Sequence, residues 1–211
     1  MSCPATSRPI PRVEPVTRQI RSLSSSSTAA SVQRVTTVIL ARHGETDWNR
    51  NGIWQGHGDP PLNDLGRRQA RQLAARLEGD AIDALYSSDM RRARETAGIV
   101  AAPRGLAVVL DPDLREMDVG SWTGLTLEQI GERFPGMTYH DGESREAFDE
   151  RVLGALYRIA AAHDGGQVLA VAHGGVVRAL DRHVIGEPRP VLANCATVTF
   201  EFENGSFTRL D

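Results

Sequence analysis

The chain has 211 residues, 40% of them hydrophobic, with 24 Lys and Arg against 27 Asp and Glu and a formal net charge of -3 at pH 7. That length suits one α/β domain with a sizeable core, and the mild acidity gives no reason to expect a nucleic-acid partner. Cys3 and Cys195 are too few and too far apart for a disulfide framework or a zinc site, and no apolar stretch approaches the roughly 18 residues of a membrane span.

Residues 1–34 do not read as part of the fold. Prolines at 4, 9, 11 and 15 break helices and central strands, and Ser24 to Thr28 form a polar tract with nothing to bury. Five arginines (8, 12, 18, 21 and 34) face the single acid Glu14. The expectation is a disordered tail ahead of a domain over 35–211. An Arg- and Ser-rich, acid-poor leader also fits an organelle transit peptide or a start codon set too far upstream. A cytoplasmic location is expected, with organelle import as the alternative.

From residue 35 onward the pattern alternates. The β-branched run 35–41 predicts a buried strand that stops abruptly in Arg42–His43–Gly44. A Gly- and Pro-rich loop follows over 49–61. Asn63 caps a helix carrying Leu65, Ala70, Leu73, Ala74 and Leu77, ended by Gly79. A short strand over 81–87 runs into a helix reaching about residue 102, with Ser88 or Asp89 as its cap, and 106–110 form a third strand. Residues 114–124 are a loop holding Arg115, Glu116 and Trp122. Thr126 and Gln129 make a capping box for a short helix to Phe134. The segment 135–143 is irregular, and Ser144 caps a helix with Phe148, Val152, Leu156 and Ile159 on its apolar stripe. A strand over 167–172 ends in His173–Gly174–Gly175 and precedes a helix over 176–185. Strands over 196–202 and 206–210 flank Asn204–Gly205, a type I′ hairpin signal. Strands alternating with helices predict a three-layer α/β/α domain on a mostly parallel sheet.

Three of these strands end in polar loops: Arg42–His43–Gly44, Ser88 through Arg92, and His173–Gly174–Gly175. In an α/β sheet the carboxyl ends of the strands lie side by side. Two imidazoles and at least two guanidiniums would then meet in one crevice, with Glu116 on a neighbouring loop. Such a cluster is costly unless an anion fills it. A phosphoryl group suits it, because Arg binds phosphate bidentately and keeps its charge.

Arg42–His43–Gly44–Glu45–Thr46, Ser88–Asp89–Met90–Arg91–Arg92–Ala93, Arg115 to Gly120 and Ala172–His173–Gly174–Gly175 together resemble the histidine phosphatase superfamily, the phosphoglycerate mutase-like fold. The resemblance runs from about residue 35 to 210. It implies that His43 is the nucleophile, forming phosphohistidine, and that Arg42, Arg92 and His173 hold the non-bridging oxygens. It implies further that Glu116 serves as acid and then base, that Asn49 touches the phosphate through its amide, and that Gly174 lends a backbone N–H. Gln55 and Gly56, in the loop after Asn49, are expected among the phosphate or substrate contacts. Arg91 reads as a solvated helix face, Asp118 as structural, and Glu45 as orienting Arg or His groups. His57 and His140 are either pocket-lining or solvated, and His163 and His183 are bystanders. Trp48, Trp54 and Trp122 read as packing residues, the last two in pocket-side loops.

No cofactor or metal is implied, since arginines supply the charge that a divalent cation would bring. The expected partner is a small phosphomonoester; oligomeric state is not readable. Residues 116–124 match Glu-x-x-x-Gly-x-Trp-x-Gly, which resembles the phosphatase branch, and His173 comes only 57 residues after Glu116. A phosphomonoester hydrolase is therefore favoured over the alternatives, a cofactor-dependent phosphoglycerate mutase and a non-catalytic phosphate-binding module. The mixed polarity of 136–144, without Lys or Arg, speaks against a heavily phosphorylated substrate.

Overall fold

A computed structural model of the protein describes residues 34–136 and 141–210. The tail expected over 1–34 lies almost wholly outside the described residues, as does His140.

The strands are β1 (Thr36–Arg42), β2 (Ala84–Ser87), β3 (Val108–Leu110), β4 (Gln167–Ala172), β5 (Thr197–Glu203) and β6 (Ser206–Arg209). The α-helices are α1 (Asp47–Arg50), α2 (Asp64–Arg76), α3 (Arg91–Ala101), α4 (Leu127–Arg133), α5 (Arg145–Ala161) and α6 (Gly174–Ile185). The strands form one sheet in the order β3-β2-β4-β1-β5-β6. The first four in that order run parallel, and β5 and β6 join antiparallel at one edge.

β1 and β4 sit in the middle, and their apolar runs are covered on both faces, as a parallel sheet requires. On one face Val38, Leu40, Val168 and Ala170 pack against Phe148, Leu156 and Leu180 of α5 and α6. On the other, Ile39, Ala41, Leu169 and Val171 pack against Leu73 of α2 and Ala97 and Val100 of α3. Each fully covered leucine, such as Leu40 or Leu169, contributes about 1.5–3 kcal/mol by leaving water. These are the three layers expected from the alternating pattern. Among the described residues no helix is long and apolar enough to cross a membrane.

Several boundaries differ from the sequence expectation. The short helix α1 lies where a loop was expected, because Thr46 and Asn49 close a capping box on each other. β2 starts at Ala84 rather than residue 81, since the Ile82 N–H turns back to Asp80 O. The cap of α3 is Met90, with no side-chain bond, and not Ser88 or Asp89. Ser88 instead accepts the Met90 N–H at 3.3 Å and turns its hydroxyl elsewhere. α6 begins at Gly174, two residues early, because the extended His173 is its cap and both glycines take helical places. The hairpin forms as expected, with positive φ at both Asn204 and Gly205.

Candidate active site

The sheet register places the site. Arg42, the last residue of β1, pairs with Ala172 of β4, and Ser87 of β2 pairs with Val171. His43, His173 and Ser88 are the next residues of three adjacent parallel strands, so they emerge together at one edge.

His43 is buried, 3% exposed, with its ring centroid 5.2 Å from that of fully buried His173. Its Nδ1 lies 2.7 Å from the Gly44 carbonyl. A carbonyl only accepts, so Nδ1 carries the proton and Nε2 keeps its lone pair. Burial first, then the charges of Arg92 and Arg42, hold the His43 pKa well below the ordinary imidazole range. At neutral pH this is an uncharged imidazole of defined tautomer, which is what a nucleophile needs.

The loop carrying His43 is seated on backbone. A Cβ on Gly44 would lie 2.6 Å from Gly66 O, and one on Gly66 would lie 2.1 Å from Glu45 O. Only glycine fits at either place.

His173 Nε2 stands 2.9 Å from Ser88 Oγ, and its Nδ1 is buried with no hydrogen-bond partner. Ser88 Oγ accepts from Met90 N–H and has its own O–H to give to Nε2; in that tautomer Nδ1–H of His173 is a donor. Burial, followed by the nearby Arg92, His43 and Arg42, keeps His173 uncharged too.

Arg92 is fully buried in the first turn of α3. It donates to Gly58 O at 2.7 Å and Gly56 O at 3.1 Å, while Nε has no partner. Burial pushes its pKa down to about 10, partly offset by Glu116, so it remains a cation. Arg42 is likewise lowered by burial; it donates to Leu192 O at 2.7 Å and also has an orphaned Nε. Buried guanidinium N–H groups without acceptors are costly and imply an anion.

Glu116 closes the site from the loop after β3. Met117 N–H donates to its Oε1 at 3.0 Å, and Gly175 N–H, in the first turn of α6, donates to Oε2 at 3.2 Å. Asn49 Oδ1 accepts from Thr46, so its amide N–H₂ is the side left to donate. Gln55 Oε1 is within 3.2 Å of Thr46 Oγ1, and Gly56 turns with positive φ.

A cleft of about 380 Å³ is lined by Arg42, His43, Arg92 and Glu116, and by Asn49, Gln55, Gly56 and Gly174. His173 is fully buried beside His43, with ring centroids 5.2 Å apart. The arrangement thus brings all the sequence-derived site residues together. Trp48 and Trp54 also line the cleft, whereas Trp122 is buried against Val119 and Ile130. Arg91 forms an exposed pair with Glu95, as a solvated helix face should. Glu45 differs from expectation: it accepts from Asn63, the cap of α2, at 2.8 Å and approaches surface Arg50, rather than orienting site groups. His57 does not line the cleft; its Nε2 is 3.0 Å from Glu116 O and its Nδ1 is 3.8 Å from Asp118. Sequence reasoning missed Arg145, Arg178 and Arg182, all lining the cleft. The available signal was spacing, because Arg178 and Arg182 follow Gly174 at steps of four on one helical face.

Comparison with known proteins shows the family. The profile of the histidine phosphatase superfamily (branch 1) matches residues 38–210. The metal-independent phosphoserine phosphatase of Arabidopsis thaliana is 39% identical over 160 residues, 69% of this chain and 67% of that protein. The probable phosphoglycerate mutase GpmB of Cronobacter sakazakii is 34% identical over 182 residues, covering 79% of this chain and 85% of its own. Among solved structures, Bacillus stearothermophilus YhfR superposes with a TM-score of 0.78 at 33% identity, over 82% of this chain and 95% of that one.

Proposed function

The chain belongs to branch 1 of the histidine phosphatase superfamily, and from that premise we propose that it hydrolyses small phosphomonoesters through a phosphohistidine on His43. The observation that carries the reading is the uncharged His43, with Nδ1–H held by Gly44 O and Nε2 left as a lone pair among Arg42, Arg92 and Glu116.

In the first half-reaction Nε2 of His43 attacks phosphorus and the P–O bond to the leaving group breaks. The proton on Glu116 passes to the departing oxygen. The imidazole becomes cationic as the N–P bond forms, and the Gly44 carbonyl opposite Nδ1–H stabilises that charge. Arg42, Arg92, His173 Nδ1–H, the Asn49 amide and the N–H of Gly174 are the donors for the non-bridging oxygens, where charge must be held. Gln55 and the Gly56 turn shape the same end of the cleft. In the second half-reaction Glu116 takes a proton from water, whose oxygen attacks phosphorus and frees His43.

Catalysis without added metal follows from this assignment, because two guanidiniums already supply the cationic clamp. A relative bearing the name metal-independent phosphoserine phosphatase supports it.

The test is phosphate release from a panel of phosphomonoesters in EDTA, with 3-phosphoglycerate assayed with and without 2,3-bisphosphoglycerate. Release, together with an acid-labile, alkali-stable phosphoenzyme absent from H43A, is the expected result. Isomerisation without release would make the protein a mutase, and neither activity would leave a binding module.

A further inference from the structure

The cleft holds cations that the hydrolytic chemistry does not use. α6 enters the site at Gly174, and a residue four positions on shares its face about 6 Å along the axis. That residue is Arg178, which lines the cleft, followed one turn later by Arg182. Helical side chains lean toward the N-terminus, so Arg178 is carried toward the phosphoryl end. Arg145, the first residue of α5, also lines the cleft.

Their partners distinguish these three. Arg182 is held by Asp149, with Nε donating to Oδ2 at 2.9 Å. The side chains of Arg178 and Arg145 make no hydrogen bond or ion pair with any described residue, and Arg178 Nε is buried without a partner. Glu116, the carboxylate in this cleft, is already tied to two backbone amides. Arg178 is half-buried, with its Nε shut away from water and unanswered by the protein, which suits an anion from outside; Arg145 lines the same cleft but is exposed.

We propose that Arg178, assisted by Arg145, is a second anion subsite, and that the substrate is a small phosphorylated acid whose carboxylate it binds. The proposal rests on the phosphomonoesterase reading and narrows it. The planar fork of arginine matches a carboxylate bidentately. One helical turn between the Gly174 amide and Arg178 suits a spacer of about two to four carbon atoms between ester oxygen and carboxylate. The cleft is small for a ligand site, and Trp48, Ile53, Trp54 and Val191 give it an apolar wall. A compact carboxylated ester fits this arrangement better than a nucleotide or an uncharged sugar phosphate.

The experiment compares esters matched except for the carboxylate: O-phosphoserine with O-phosphoethanolamine, and 3-phosphoglycerate with glycerol 3-phosphate. In each pair the acid should show a kcat/KM about tenfold to hundredfold higher. R178A should bring both ratios toward one, chiefly through KM; R178K should restore part of the preference, and R145A should lower it by a smaller factor. A ratio measured within one variant cancels any loss of folded protein, so a poorly folding R178A still reports. Ratios near one in the unmodified protein, or ratios that survive R178A, overturn the subsite while phosphate release upholds the phosphatase reading. If no ester is hydrolysed, the phosphatase reading fails by itself. The affinities of H43A for the same pairs by calorimetry then decide the subsite: tighter binding of the acids supports it, and equal binding overturns it.

Discussion

Gly175 and Glu116 meet with no room for a methyl group between them: a Cβ on Gly175 would stand 2.0 Å from Glu116 Oε1. Gly175 also has no positive φ, so alanine is permitted by the backbone and excluded chiefly by the carboxylate, with Phe148 Cζ also tight at 3.2 Å. G175A should therefore keep the fold, helped by alanine's higher helix propensity. It should displace Glu116 and cut kcat/KM about a hundredfold, the scale of an ångström misplacement. Thermal melting alongside kinetics checks both halves.

Glu116 is assigned the proton that the leaving oxygen receives. E116Q should then depend on the leaving group, with alkyl phosphates slowed about 10²–10⁴-fold and p-nitrophenyl phosphate much less, because p-nitrophenolate departs without a proton. Equal losses on both substrates would remove the acid role from Glu116.

Ser88 acts through His173. S88A strips the hydroxyl from Nε2 and frees the tautomer, and kcat should fall about ten- to hundredfold, with KM changed less. S88T keeps a hydroxyl and should recover a large part of the rate. Failure of threonine to rescue, with the fold intact by circular dichroism, would show that the hydroxyl is not what matters.

Two buried imidazoles make stability depend on pH. The folded-state pKa values of His43 and His173 are depressed, so below about pH 6.5 the unfolded chain binds protons that the folded one refuses. Stability is thus fully present above about pH 6.5 and is lost as pH falls below it, by at most about 1.4 kcal/mol per pH unit for each histidine. Urea melts of the ligand-free protein between pH 5 and 7.5 should show this slope. H173N should flatten it, and an unchanged slope would mean that the ring is charged in the folded state.

The strands that build the site were legible because buried β-branched runs ended sharply in Arg-His-Gly and His-Gly-Gly, and the capping residues Asn63, Thr126 and Ser144 marked helix starts directly. What escaped reading depended on tertiary neighbours. Ser88 looks like a helix cap until the opposing strand brings His173 to its hydroxyl. Glycines 174 and 175 read as part of a polar loop, yet they open α6 because His173 is held extended as its cap at the strand end. Arg178 resembles an ordinary solvated helix position, and only the packing of α6 beside the cleft makes it half-buried there, while Arg145 stays exposed on the cleft lining. Glu45 beside the nucleophile invited a role in the site, but its carboxylate faces the start of α2.

The seating of Gly44 on Gly66 divides the site into two parts of unequal tolerance. The reactive half is registered by main chain against main chain, so its geometry offers no side chain whose exchange could adjust it gradually. Elsewhere the cleft is lined by residues with exchangeable side chains, among them Ile53, Trp54, Arg145 and Val191. Directed evolution of ester preference belongs at those positions, where a library can redraw the substrate's outline while the nucleophile stays in place.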